Sequence, residues 1–174
     1  ISSGSGSSVS GGWNNTASGG DASVSGGHNN NASGGSTSVS GGNANNASVG
    51  FASVSGGQDN TASGSYSSVS GGRNNTAIGA YSSITGGGTE STVYGNVAYA
   101  DYSSIHGGDD NETSATGSSI LGGRRNQTTG GAVSTISGGV DNSASGTGSS
   151  VSGGSTRSVT GTYDWQAGHL TSDQ

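Results

Sequence analysis

The sequence predicts an all-β fold, a parallel β-solenoid of about ten 15-residue coils. Three observations carry that expectation: a branched apolar residue returns every 15 residues, a Gly-Gly pair follows it each time, and an asparagine stands at a fixed offset behind the pair. Self-similarity at a short fixed period marks stacked repeats, in which each unit buries its apolar face only against its neighbours.

The branched column begins at Val9 and continues through Val24, Val39, Val54, Val69 and Ile84 in steps of 15. After one step of 21 it resumes at Ile105, Ile120, Ile136 and Val151, in steps of 15, 16 and 15. All ten copies keep both glycines, as in Ser8-Val9-Ser10-Gly11-Gly12. An inward Val or Ile between small polar residues alternates as a half-buried strand does. A second inward column, Ala17, Ala32, Ala47, Ala62 and Ala77, places a return strand in each coil. The Gly-Gly pair makes one corner, because positive φ costs glycine little. Asn15, Asn30, Asn45, Asn60, Asn75, Asn111, Asn126 and Asn142 mark the other. That asparagine is read either as a left-handed turn residue or as the rung of a side-chain ladder. No stretch carries helical periodicity.

Composition narrows the function. Of 174 residues 38 are glycine, lysine and cysteine are absent, 8% are charged, and the formal net charge is -6. Disulfides and thiolate metal sites need cysteine, and a P-loop needs its lysine. A net negative chain with four arginines is a poor match for nucleic acid. No apolar run approaches the roughly 20 residues of a membrane helix, so no membrane insertion by this chain is expected. Low hydrophobicity without high charge separates it from ordinary disordered chains. One Val and one Ala per coil make a thin interior, so several chains are expected to share a core.

The first strand Ser68-Val69-Ser70-Gly71-Gly72 and the return Asn75-Thr76-Ala77-Ile78-Gly79 resemble the repeat of the YadA-like head domain of trimeric autotransporter adhesins. The resemblance spans Ser8 to Gly154. Glycine stands here where that family has its second apolar strand residue, and the period is one residue longer. What the resemblance implies is a left-handed β-roll, a homotrimer, an extracellular position on a cell surface, and adhesion to a host or matrix protein or a glycan. A chain that does not begin with methionine fits a processed, secreted protein.

The expected organisation is one repeat domain over 1–160 with an irregular insertion over 86–102, then a cap and tail over 161–174. The insertion gathers Val93, Tyr94, Val97, Tyr99 and Tyr102. The segment from Gly161 to Gly168 leaves the period, and Tyr163 and Trp165 are expected to cap the last coil, as terminal solenoid coils require. The position after each Gly-Gly pair varies freely, through Trp13, His28, Asn43, Gln58, Arg73, Gly88, Asp109 and Arg124, so it is expected to face outward. Trp13, His28, Arg73, Tyr94, Tyr99 and Tyr102 are the candidate ligand contacts.

No catalytic constellation is expected, because no G-x-S-x-G elbow occurs. Glu90, Asp101, Asp109, Asp110 and Glu112 crowd one stretch. Carboxylates hold calcium, yet the recurring G-G-x-G-x-D of calcium β-rolls is absent. Asp109, Asp110 and Glu112 are therefore candidate ligands, while the expectation is a solvated acidic belt with no metal and no cofactor. Besides an adhesive trimer, the sequence admits a subunit of an extracellular filament assembled end to end, or a phage-type fibre. A third reading, ice binding, needs a regular threonine column; Thr16, Thr61 and Thr76 begin one, and Asn31 and Asn46 interrupt it.

Overall fold

The computed structural model describes residues 1–88 and 95–168, and among them every regular element is a two-residue strand, with no helix. The first strands of successive coils, from Ser8–Val9 to Trp165–Gln166, stack into an eleven-stranded parallel sheet. The return strands, from Thr16–Ala17 to Ser158–Val159, stack into a ten-stranded one. Each residue pairs with its equivalent one coil away, as Val24 does with Val39 and Ala32 with Ala47. A third ladder, one residue wide, runs through Trp13, His28, Asn43, Gln58 and Arg73 and again through Asp109, Arg124, Val140 and Ser155. The fold is a parallel β-solenoid, as the period predicts.

Each strand turns one side chain in and one out, the consequence of the period-2 pleat. From Val24 to Val151 the branched column is at most 1% exposed, and Ala17 through Ala77 are at 0%. Two further columns share that interior. Ala22, Thr37, Ala52, Ser67, Ser82, Ser103, Ser118, Ser134 and Ser149 are all buried, and several of their hydroxyls bond within the turn, as Thr37 Oγ1 does to the Gly34 carbonyl at 2.7 Å. The asparagines form the other column. Four columns from one chain thus fill the interior of each coil.

The asparagine resolves as a ladder. Asn60 accepts a bond at Oδ1 from the Asn75 backbone N–H at 3.0 Å, and its amide nitrogen donates to the Gly56 and Gly72 carbonyls at 3.0 Å each. It therefore ties its own Gly-Gly corner to the next one up. The same set recurs at Asn45 and Asn126, and buried Asn96 carries it across the long step, its N–H donating to Asn75 Oδ1 and its own Oδ1 accepting from the Asn111 N–H. The left-handed conformation belongs to the residue before: Asn14, Asn29, Ala44, Asp59, Asn74, Asp110 and Arg125 have φ between 52 and 58°. In the same link, Gly72 has φ of 86°, and a Cβ there would meet Asn75 Nδ2 at 2.6 Å. Side-chain-free, left-handed backbone is what lets the amide reach in.

Two expected boundaries change. Gly88 N–H still bonds the Gly108 carbonyl at 2.9 Å, as Arg73 bonds Gly87, and Asn96 is back on its rung. Residues 86–88 and 95–102 of the expected insertion thus belong to regular coils, and 89–94, with Glu90, Val93 and Tyr94, lie outside the described residues. Val97, Tyr99 and Tyr102 belong to a regular coil, where Val97 pairs with Thr76 and Glu112. Nor does the segment after Gly161 leave the period: Trp165 pairs with Ser150 and Gln166 with Val151. The 16-residue step is taken between Thr128 and Val133, where Gly130 turns with φ of 77°.

Asn60→Ala takes their side-chain partner from the Gly56 carbonyl and the buried Asn75 N–H, about 1–3 kcal/mol each, while the Gly72 carbonyl keeps its bond from the Gln58 N–H. The thermal midpoint is expected to fall by about 5–10 °C. Asn31→Ala, on the outward side of its strand, is expected to move it by less than about 2 °C, read by circular dichroism.

Candidate interaction surface

With the interior given over to four repeated columns, chemistry is left to the outward stations. The residue after each Gly-Gly pair is one of them. Trp13 is 74% exposed and meets the His28 ring edge-on at 6.0 Å. His28 Nδ1 in turn bonds the Asn43 amide oxygen at 3.0 Å. Arg73 lies on the same column, half-buried. Trp13, His28 and Arg73 therefore share one face as expected, although Asn43 and Gln58 separate the arginine from the other two.

A second station, three residues before each branched residue, carries a feature that the motif reading missed. Phe51, Tyr66, Tyr81 and Tyr102 stack in one column with ring centroids 4.7, 4.9 and 5.0 Å apart and planes within 4° of parallel. All four are at least 47% exposed. The spacing is the coil-to-coil distance, so the fold itself sets the stack. All four also hold positive φ, between 58 and 62°, a region that bulky residues avoid at a cost of about 1 kcal/mol or more. Contact between neighbouring rings, about 0.5–1.5 kcal/mol per pair, offsets that strain. The 15-residue spacing of Phe51, Tyr66 and Tyr81 was the available signal. Tyr99 lies on the same corner of the coil but at a different station, outside the stack, half exposed.

The same column continues as Gly117, Val133, Gly148 and Tyr163, all with positive φ. Tyr163 is 81% exposed and Trp165 63%, its Nε1 donating to Ser152 Oγ at 2.7 Å. The residue paired above Val151 is Gln166, so the two rings named as a cap stand at outward stations beside the coil end.

The acidic residues separate by station. Asp109 lies on the one-residue ladder, Asp110 is the left-handed residue behind it, and Glu112 points outward from a return strand, where it accepts from Ser114 Oγ at 2.6 Å. Among the described residues no three acidic or histidine side chains gather around a cation position. Burial first, then the charge of Asp109, pushes the Asp110 carboxyl above the usual range, with Arg125 pulling the other way. One coil on, Arg125 grips Asp141 with two bonds of 2.6 Å, and that hydrogen bonding holds Asp141 below the usual range.

No protein-family model matches this chain, and no curated protein matches its sequence.

Tyr81→Ala removes two of the three ring contacts, leaving the Phe51–Tyr66 pair. It is expected to cost about 1–2 kcal/mol and to remove more near-ultraviolet circular dichroism than one tyrosine in six accounts for. Asp110 gives a pH signature. A carboxyl raised in the fold favours folding while protonated and opposes it once ionised, so its penalty appears as pH climbs through the raised value. Asp110→Asn should therefore raise the melting midpoint at neutral pH, by about 1 °C for a solvent-screened group. The gain should shrink as pH falls through the carboxylate range, in melts followed from neutral to acid.

Proposed function

We propose that the chain is a stiff extracellular rod with structural and adhesive work to do, its lateral surface attaching to a host or matrix protein or a glycan. One observation carries the reading. The inward stations repeat with little change from coil to coil, while the outward stations hold Trp13, His28, Arg73 and a file of exposed aromatic rings. A rigid scaffold that multiplies outward positions at a fixed height is suited to many weak simultaneous contacts, whose strength lies in avidity. Ten coils at about 4.8 Å give a length of about 50 Å. The coils take the left-handed sense that the family resemblance implies. The three-chain assembly implied with it rests on that resemblance alone, since the interior is filled without a partner.

A filament subunit is the second reading. Among the described residues Ser8–Val9 and Trp165–Gln166 each pair on one side of the longer sheet, and an edge of that kind accepts a further strand. The ice-binding reading finds less support: the column of Thr16, Thr61 and Thr76 passes through Asn31, Asn46, Val97 and Glu112.

Protein immobilised on a sensor and exposed to panels of matrix proteins and glycans is expected to retain at least one class at micromolar concentration. Trp13→Ala should weaken that retention about tenfold or more, the share of an aromatic hot spot. A panel without a binder overturns the adhesive reading, and continuous fibres under the electron microscope install the second.

A further inference from the structure

The aromatic column contains its own counterpart. Read along the chain, four rings, Phe51, Tyr66, Tyr81 and Tyr102, are followed on the same corner by Gly117, Val133, Gly148 and Tyr163. Tyr102 and Gly117 occupy adjacent rungs. Their N–H groups make equivalent bonds one coil apart, to Ala80 and Asp101. Around the Cβ that Gly117 lacks, no atom lies within 4 Å. One face of the Tyr102 ring lies against Tyr81, and the other looks toward this gap. Beyond the gap stands Val133, 64% exposed.

The other glycine rungs show what such a gap holds. At Gly148 an added Cβ would meet the Tyr163 ring at 2.6 and 2.8 Å, so a tyrosine already lies in that rung. At Gly6 the Asp21 carboxylate occupies the place. Among the described residues Gly117 is the glycine rung of this column with no occupant, and its neighbour at Gly148 identifies a tyrosine ring as a group that fits.

We propose that two copies of this chain pair side by side and antiparallel along this column, each placing Tyr102 into the open rung at Gly117 of the other. A two-fold axis between these adjacent rungs exchanges ring and gap, the self-complementarity that a closed isologous dimer requires. The same axis sets Tyr81 opposite Val133, so large residues meet smaller ones at the two central pairs; farther out, Tyr66 and Phe51 face the end where the Tyr163 ring fills the Gly148 rung. A parallel pair about this column would instead set ring against ring and gap against gap. The area agrees with a second copy as the occupant. Four rings and Tyr99, each about half exposed, offer on the order of 500 Å² of apolar surface. A stable interface takes about 800 Å² from each partner. Val133, Tyr163 and the flanking Thr116 and Thr147, all exposed, lie along the same strip to supply the rest. The pairing goes beyond the adhesive reading and does not depend on it.

The test exchanges the two residues. Sedimentation equilibrium of the wild-type chain at micromolar concentration should return twice the chain mass. Tyr102→Gly has gaps and no rings at the contact, and Gly117→Tyr has rings and no gaps, so each alone should return the single-chain mass. Mixed in equal amounts they should restore the double mass, because every ring then faces a gap. Gly117→Tyr is compatible with the backbone, since Tyr66, Tyr81, Tyr102 and Tyr163 hold the same station at φ of 55–59°. If it nevertheless fails to fold, Gly117→Ser, the residue type at Ser36, replaces it and should shift the dimer toward monomer at least tenfold. A wild-type mass of one or three chains overturns the pairing, as does either variant remaining dimeric, or a folded mixture that stays monomeric.

Discussion

The fold depends on one side-chain amide per coil. Each rung asparagine uses its oxygen and both amide hydrogens, binding two glycine carbonyls and the backbone of the next rung. The amide can reach these carbonyls only if the second residue of the pair carries no side chain, hence the glycine at Gly72 and its equivalents. Only if the residue before the asparagine turns left-handed does the amide point inward, hence the φ values near 55° at Asn14, Asn29 and their equivalents. A buried primary amide with all its groups satisfied stabilises its surroundings, whereas one with a group unmet would cost more than it returns. The period, the glycines and the corner geometry are therefore one constraint seen at three positions.

Much of this was legible, and the exceptions have physical reasons. Val24 or Ala32 could be assigned inward because an apolar side chain in a polar chain has one place to go. The rung asparagine could not be assigned between turn and ladder by identity, since Asn suits both; the turn residue itself was hidden because Ala44, Asp59 and Arg125 share no chemistry. The buried Ser67 and Ser82 were invisible among so many serines. Apolar residues alone make up only part of the interior; Asn completes it by binding backbone, and Thr37 and Ser103 by bonding their own turns. Nearness of Tyr94, Tyr99 and Tyr102 in the sequence does not mark the bounds of an insertion, because Tyr102 belongs to a column that includes Phe51.

That column also shows how surface and interior divide the labour. Inside, a change at one rung is felt by its neighbours through shared hydrogen bonds, so the residue types barely vary. Outside, Phe, Tyr, Gly and Val succeed one another on the same backbone conformation, and the strain of a bulky residue at positive φ is offset by the ring beneath it. The backbone is thus indifferent to what it displays, which is why the display can be specific.

Because every coil presents the same upper and lower surface, the gene for such a protein can lengthen or shorten by whole units through replication slippage. Loss of any one regular 15-residue unit would rejoin matching corners and leave no scar in the stack. The protein can then vary in reach from lineage to lineage while its mechanics stay constant, and only the positions read by partners would need to be kept in phase.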